Sequence, residues 1–361
     1  MRRTAALIVG GGPAGSAAAI TLARGGADPL LLERHAEPQD ALCGGFVSWR
    51  TLERLSALGL DIEALGGEPI DTLALFAESR ASEARLPEPG RGVSRRRLDA
   101  LLLDRAAQAG ARIERGVMAR SAEGNGIVRL ADGDIVVAGA LFLATGKHEL
   151  RGLAREAGDT EGGWMGLRFR LDPTRRLAKA LAGRIELHLF TGGYAGLLLQ
   201  EDGTANLCMA VRRDRLGEAG DRDALLARLA DEAPLLGERL AGGEIVARDA
   251  IGHVPYGWRA THGTAGLFRI GDQAAVIPSL AGEGIGIALA SGERAARAYF
   301  AGGRLAGSAF QPAFSARARE PLAIAGVIAR LAETSLGAKI VTGLARLPGA
   351  ARLAARATRI A

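Results

Sequence analysis

The chain opens on an unbroken apolar run, Ala5-Ala6-Leu7-Ile8-Val9, and a second, Leu30-Leu31-Leu32, follows about twenty residues later. Short continuous apolar runs separated by helical spacing mark strands buried on both faces of a parallel sheet. They predict strands over 4–10 and 29–33 with a helix over Pro13–Arg24 between them. A second helix is predicted over Leu98–Ala109, with Leu98, Leu101, Leu102 and Leu103 facing the core. Ile127–Leu130 and Ile135–Val137 flank Asp132-Gly133, a hairpin-turn pair, and Ala140–Ala144 reads as a further apolar strand.

The pattern then changes. Stretches 164–170, 184–190, 194–200 and 204–212 read as successive strands of an antiparallel sheet, the last two joined by Asp202-Gly203. A helix over Asp221–Leu240 and a strand near Glu244–Asp249 follow. From Leu267 the first style returns, with Phe268–Asp272, a glycine-rich loop and a helix from Gly284 to Ala301. The tail from Ala306 is mostly helical and ends in Arg352, Arg356 and Arg359; packing over the first domain with a solvated arginine face is its first reading, and peripheral membrane contact is the alternative.

With 361 residues, 48% of them hydrophobic, the chain can bury a sizeable core in one large or two ordinary domains. Cys43 and Cys208 lie far apart without metal-ligand spacing, so neither a disulfide framework nor a metal site is expected and a reducing, cytoplasmic setting fits. No run of eighteen apolar residues suggests a transmembrane helix. The net charge of +6 reflects an arginine-rich composition with only three lysines, Lys147, Lys179 and Lys339. The basic residues are scattered and not interleaved with aromatics, which argues against nucleic acid as a partner.

Chemistry enters at Gly10-Gly11-Gly12-Pro13-Ala14-Gly15, directly after the first strand. Gly10 permits the tight turn, Gly12 lets backbone approach a pyrophosphate, and Gly15 lets the helix pack closely on the sheet. Glu33, at the end of the second strand, stands where a ribose hydroxyl needs an acceptor. A second cofactor-like motif near Asp272 implies one long cofactor, such as FAD, gripped by two distant pieces of chain.

These ordered motifs resemble those of FAD-dependent oxidoreductases of the p-hydroxybenzoate hydroxylase fold, the geranylgeranyl reductases and the group A flavin monooxygenases like them. The resemblance covers roughly residues 1–300. It implies an α/β fold: a Rossmann-like, three-layer FAD-binding domain, an inserted antiparallel substrate-binding sheet domain and a helical C-terminal tail. The corresponding boundaries are 1–70, 93–160 and 250–305 for the first, 71–92 and 161–249 for the second, and 306–361 for the tail.

Carried onto this chain, the resemblance assigns cofactor contacts to Gly10, Gly12, Pro13, Ala14, Gly15 and Glu33, with Arg34 beside the acid. It adds Arg95, from the arginine that precedes a Leu98-Asp99 pair, and Val117, whose backbone would meet the adenine. The Cys43-Gly44-Gly45 segment would lie close to the isoalloxazine ring. Ala144, Thr145 and Gly146 take a further cofactor position. In the late motif, Gly271 and Asp272 would hold the ribityl chain, and Gly282, Gly284 and Ile285 would aim a helix start at the flavin.

Two departures qualify the function that follows. Monooxygenases of this fold often carry Asp-Gly where this chain has Gly146-Lys147-His148, which leaves NAD(P)H or a separate flavin reductase as the electron donor. Geranylgeranyl reductases carry a Tyr-x-Trp-x-Phe-Pro strand, and only Tyr194 of that set survives here. The resulting expectation is a monooxygenase that hydroxylates or epoxidises an apolar aromatic, polyketide or isoprenoid-like small molecule with molecular oxygen, through a flavin hydroperoxide. The alternative is a double-bond reductase of the geranylgeranyl reductase type, and a third reading is a flavin-binding partner protein without turnover. Candidate catalytic residues are His253, Tyr256 and Tyr194; Trp164, Met165, Leu167, Phe169, His188, Phe190 and Leu198 are candidates for the pocket lining.

Overall fold

A computed structural model describes residues 1–124, 126–155 and 163–360. The expected domain boundary at 160/161 lies outside them.

Two sheets carry the chain. The first runs in the order 112–115, 29–33, 2–9, 135–143, 127–130, 119–122, with Leu267–Arg269 also paired to 135–143. Its central strands are parallel: Ala6 pairs with Pro29 and Ala140, and Phe142 with Phe268. Leu7 and Ile8 are fully buried, as an apolar run between two covered faces requires. One face is covered by the helices Pro13–Arg24, Arg95–Gln108 and Gly284–Gly302. On the other, Leu7, Leu30, Leu32 and Leu141 pack with Val128, Leu130, Leu150 and Leu153.

The strand expected over 140–144 is one with the preceding hairpin strand, as Ile135–Leu143. Its first half pairs antiparallel with 127–130 and its last three residues pair parallel with 267–269, so one long strand serves two neighbours besides strand 2–9.

The second sheet has eight strands in the order 243–251, 164–173, 205–212, 193–199, 184–190, 69–77, 80–92, 46–47. It departs from the expected all-antiparallel arrangement. Arg184–Phe190 pairs parallel with Pro69–Ala77, across a long connection that carries strands 112–115, 119–122, 127–130 and 135–143 of the first sheet and not a hairpin. The helix expected over 221–240 is two, Arg222–Glu232 and Pro234–Leu240. Pro234 has no N–H and holds Ala233 outside the helical region, at φ −128 and ψ 81.

Alternation along these strands gives the second sheet two distinct faces. Leu167, Phe169, Phe190, Ala195 and Leu197 pack against Leu225, Leu229 and Leu236 of the following helices. The opposite face presents Leu75, Leu187, Leu189 and Tyr194. The tail helix Ala306–Ala332 packs Phe310, Phe314 and Leu322 onto the first core, and the helix Ser335–Leu344 lays Ala338 on that opposite face.

Candidate cofactor and substrate site

The Gly10–Gly15 turn is shaped by what surrounds it. Gly10 N donates to Leu32 O at 2.9 Å and Ala144 N to Val9 O at 2.9 Å, which presses Gly10, at φ +108, against the Ala144 carbonyl. Only glycine tolerates that φ and that contact. Helix 13–24 begins with Pro13 and has no side-chain cap, so its first-turn amides are free to receive an anion.

Over this helix start lies Arg95. A Cβ on Gly12 would stand 3.1 Å from its guanidinium. Asp99 grips Arg95 through two hydrogen bonds, 2.9 Å from Nε and 2.7 Å from Nη2. Burial opposes the arginine's charge, but the Asp99 carboxylate outweighs it and raises the pKa, so the cation persists. The Glu33 carboxylate accepts from Gly11 N at 2.7 Å and His35 N at 2.9 Å, and Val117 N donates to Glu33 O at 2.9 Å. Arg34 is exposed at the mouth, 2.9 Å from His148 Nε2.

The late motif closes on the first. Gly271 N donates to Ser291 Oγ at 2.8 Å, and a Cβ on Gly271 would lie 3.0 Å from the Cβ of Ala14. Asp272 stands 3.3 Å from Lys147 Nζ, and its charge is the main cause of a raised lysine pKa. Gln273 Nε2 donates to Gly146 O and His148 O at 3.0 and 3.1 Å, while Thr145 Oγ1 donates to His148 O at 2.7 Å. Residues 144–148 are thereby fastened to the Asp272 turn. Gly282 adopts the left-handed region at φ +61 and introduces helix 284–302, whose first-turn amides also lack a side-chain cap.

Cys43-Gly44-Gly45 borders the same groove. Asn206 Nδ2 donates to Cys43 O at 3.1 Å and to Gly44 O at 2.9 Å, and a Cβ on Gly282 would meet Phe46 at 3.1 Å. Nearby, Tyr194 Oη accepts from Leu280 N at 2.8 Å, and Tyr256 Oη lies 2.7 Å from Ser279 Oγ. Trp164 meets Tyr256 edge-on, with centroids 5.9 Å apart. Burial pushes both phenols above their ordinary value and keeps them protonated. His253 is not brought to this group: it is exposed, at φ +55, with Nε2 3.5 Å from Arg213 Nη1.

Residues 3–148 match the family model described as an FAD binding domain. Digeranylgeranylglycerophospholipid reductase 2 of Methanopyrus kandleri is 30% identical over 318 residues, covering 79% of this chain and 74% of its own. The chain belongs to the FAD-dependent oxidoreductases of the geranylgeranyl reductase type. Menaquinone reductase of Mycolicibacterium smegmatis is 29% identical, over 83% of this chain and 77% of that one. Among solved structures, a geranylgeranyl bacteriochlorophyll reductase-like protein from Thermoplasma acidophilum superposes with TM-score 0.77 at 19% identity, covering 100% of this chain and 94% of the other.

The residues of this flavoprotein suit the cofactor its family binds. Two helix starts without side-chain caps leave first-turn amides free, as a pyrophosphate and the electron-rich edge of a flavin would each require, and Gly12 and Gly282 lead into them.

Sequence reasoning missed the network beneath the Cys43 segment. Arg168, only 4% exposed, donates to Asp40 O at 2.7 Å and Ala41 O at 3.2 Å and pairs with Asp249 at 2.6 Å. Asp40 also accepts from Arg95 N at 3.0 Å, joining Arg95 to the Cys43 segment. Nothing local in the sequence marks these partners.

The pocket lining is also corrected. Leu167, Phe169 and Phe190 face the helices behind the sheet and Met165 packs beside them. His188 points into a buried pair with Glu186, 3.2 Å away and itself held by Arg239. These residues belong to core packing, whereas Tyr194 and Trp164 share the face that meets Tyr256.

Proposed function

We propose that this flavoprotein is a reductase that saturates a carbon–carbon double bond in an apolar, isoprenoid-like small molecule. The observation that carries the reading is the junction of an apolar sheet face, Leu75, Leu187, Leu189 and Tyr194, with a hydroxyl pair, Tyr256 and Ser279, beside the late cofactor motif. The reductase names of both curated relatives support it.

Bound FAD, once reduced by NAD(P)H or by a separate flavin reductase, would supply hydride to one alkene carbon. The other carbon needs a proton, and the chain holds one at Tyr256 Oη, with Ser279 Oγ placed to replace it. Asp272, steadied by Lys147, would hold the ribityl chain, and Arg95 with the first-turn amides of helix 13–24 would hold the pyrophosphate. At the edge of the apolar face, the partly buried Trp164 and Tyr256 would exclude water and orient the substrate. Hydroxylation or epoxidation with molecular oxygen is the second reading, favoured by the loss of the reductase aromatic strand pattern after Tyr194.

The test is an anaerobic single turnover. Holoenzyme reduced with dithionite is mixed with geranylgeraniol, flavin reoxidation is followed by absorbance, and the product is weighed by mass spectrometry. The expected product has gained two hydrogens, and Tyr256→Phe slows its formation by roughly a hundredfold with FAD content unchanged. Reoxidation only after air is admitted, with an oxygen-bearing product, would overturn this order.

A further inference from the structure

Seven of the twelve large apolar side chains exposed among the described residues fall between positions 327 and 353: Val327, Leu331, Leu336, Ile340, Leu344, Leu347 and Leu353. Leu336, Ile340 and Leu344 recur every four residues, so they form one outer stripe along helix 335–344. The opposite side of that helix, Gly337, Ala338 and Thr342, is buried.

The helix is held firmly in this pose. Ser335 Oγ donates to Glu78 at 2.6 Å, Lys339 Nζ pairs with Glu78 at 2.9 Å, and Arg346 donates to Ala81 O at 2.7 Å. Two of the leucines, Leu336 at 72% and Leu353 at 71%, are among the most exposed large apolar residues of the protein.

Charge identifies the occupant. Between 327 and 356 the chain carries five basic residues, Arg330, Lys339, Arg346, Arg352 and Arg356, against Glu333, and Glu78 of the adjoining turn offsets only Lys339. Arg330, Arg346, Arg352 and Arg356 are exposed. A second copy of the chain would bring like charges together, whereas an anionic lipid surface receives both the leucines and the arginines. Among the described residues no helix is long and apolar enough to cross a membrane, so contact of this kind lies in the interface.

We propose that the outer face of helices 335–344 and 350–357 docks this protein on an anionic bilayer surface. The inner side of the first of these helices rests on the sheet face that holds Leu75, Leu187, Leu189 and Tyr194, so one helix separates lipid from that face. The surface stands independently of which reaction the flavin site performs.

Flotation of the FAD-loaded protein with phosphatidylcholine vesicles, with and without phosphatidylglycerol, tests it. Binding is expected to the anionic vesicles and to weaken in high salt, as the Debye length falls from about 10 Å at 0.1 M to about 3 Å at 1 M. Leu336→Glu with Leu353→Glu should weaken vesicle affinity more than roughly a hundredfold, since each leucine contributes about tenfold or more when buried. Arg352→Glu with Arg356→Glu should abolish the preference for anionic lipid. Both variants should keep their bound flavin spectrum, which reports an intact fold. Wild-type protein that stays with the aqueous layer, or a leucine variant that floats like wild type, overturns the proposal. A lipid-free dimer in sedimentation velocity that the leucine substitutions dissolve overturns it in favour of self-association.

Discussion

Replacing Arg95 by methionine tests whether this arginine serves the cofactor or merely the fold. The substitution removes two charge-assisted hydrogen bonds to Asp99, at 2.9 and 2.7 Å, and a cation beside Gly12. Breaking one side of a buried ion pair costs about 3–5 kcal/mol, and the low end applies because the two side chains retain 18% and 13% exposure. Independently, a lost charge-assisted bond to a phosphate costs about 1.5–3 kcal/mol, a rise in FAD Kd of roughly 10- to 150-fold. Adding Asp99→Leu removes the stranded carboxylate and should restore stability to within about 1 kcal/mol of wild type while FAD binding stays weak. Urea unfolding of the apoprotein reads the first quantity, and titration of flavin fluorescence reads the second. A double variant that binds FAD as tightly as wild type would show the arginine to be structural, and the phosphate role would fall.

Two further outcomes follow from the geometry. Glu283 is buried against Ser48, Ile360 N and Arg359, and burial pushes its pKa from 4.5 up to about 7. A raised carboxyl pKa gives stability that is fully present below the unfolded value near 4.5 and lost as pH rises through 7, a difference of roughly 3 kcal/mol. Glu283→Gln should flatten the stability profile between those limits, and an unchanged slope in urea midpoints measured across them would refute the assignment. Gly10→Ala meets both a φ of +108 and the Ala144 carbonyl, whereas Gly133→Ala meets a φ of +95 with open space around it. The second should cost about 1–2 kcal/mol and the first considerably more, so equal thermal shifts for the pair would contradict the packing described for the cradle.

The cradle itself was readable because strand, turn and helix start lie side by side in sequence and each demands a particular residue type. The 267–302 return was readable for the same reason. What escaped was non-local. No alternation within Arg184–Phe190 reveals that its neighbour is Pro69–Ala77, over a hundred positions earlier, or that their pairing is parallel. Leu167 and Phe169 look as suitable for a pocket as Trp164 does, and only the helices behind the sheet decide which face is filled. The Arg168–Asp40–Arg95 linkage joins three distant segments, none with a local signature. Pro234 divides the helix expected over 221–240, because it has no N–H to continue the preceding helix.

Ala14 and Gly271 touch although more than two hundred and fifty residues of chain separate them. Because a ribosome releases the amino end first, the phosphate cradle emerges long before its counterpart, and the entire second sheet must be threaded between the two. On the proposed cofactor assignment, a translation product halted before Leu267 would carry only half of the clasp and should retain no FAD. Holoprotein colour would then read out chain synthesis through the helix that ends at Gly302.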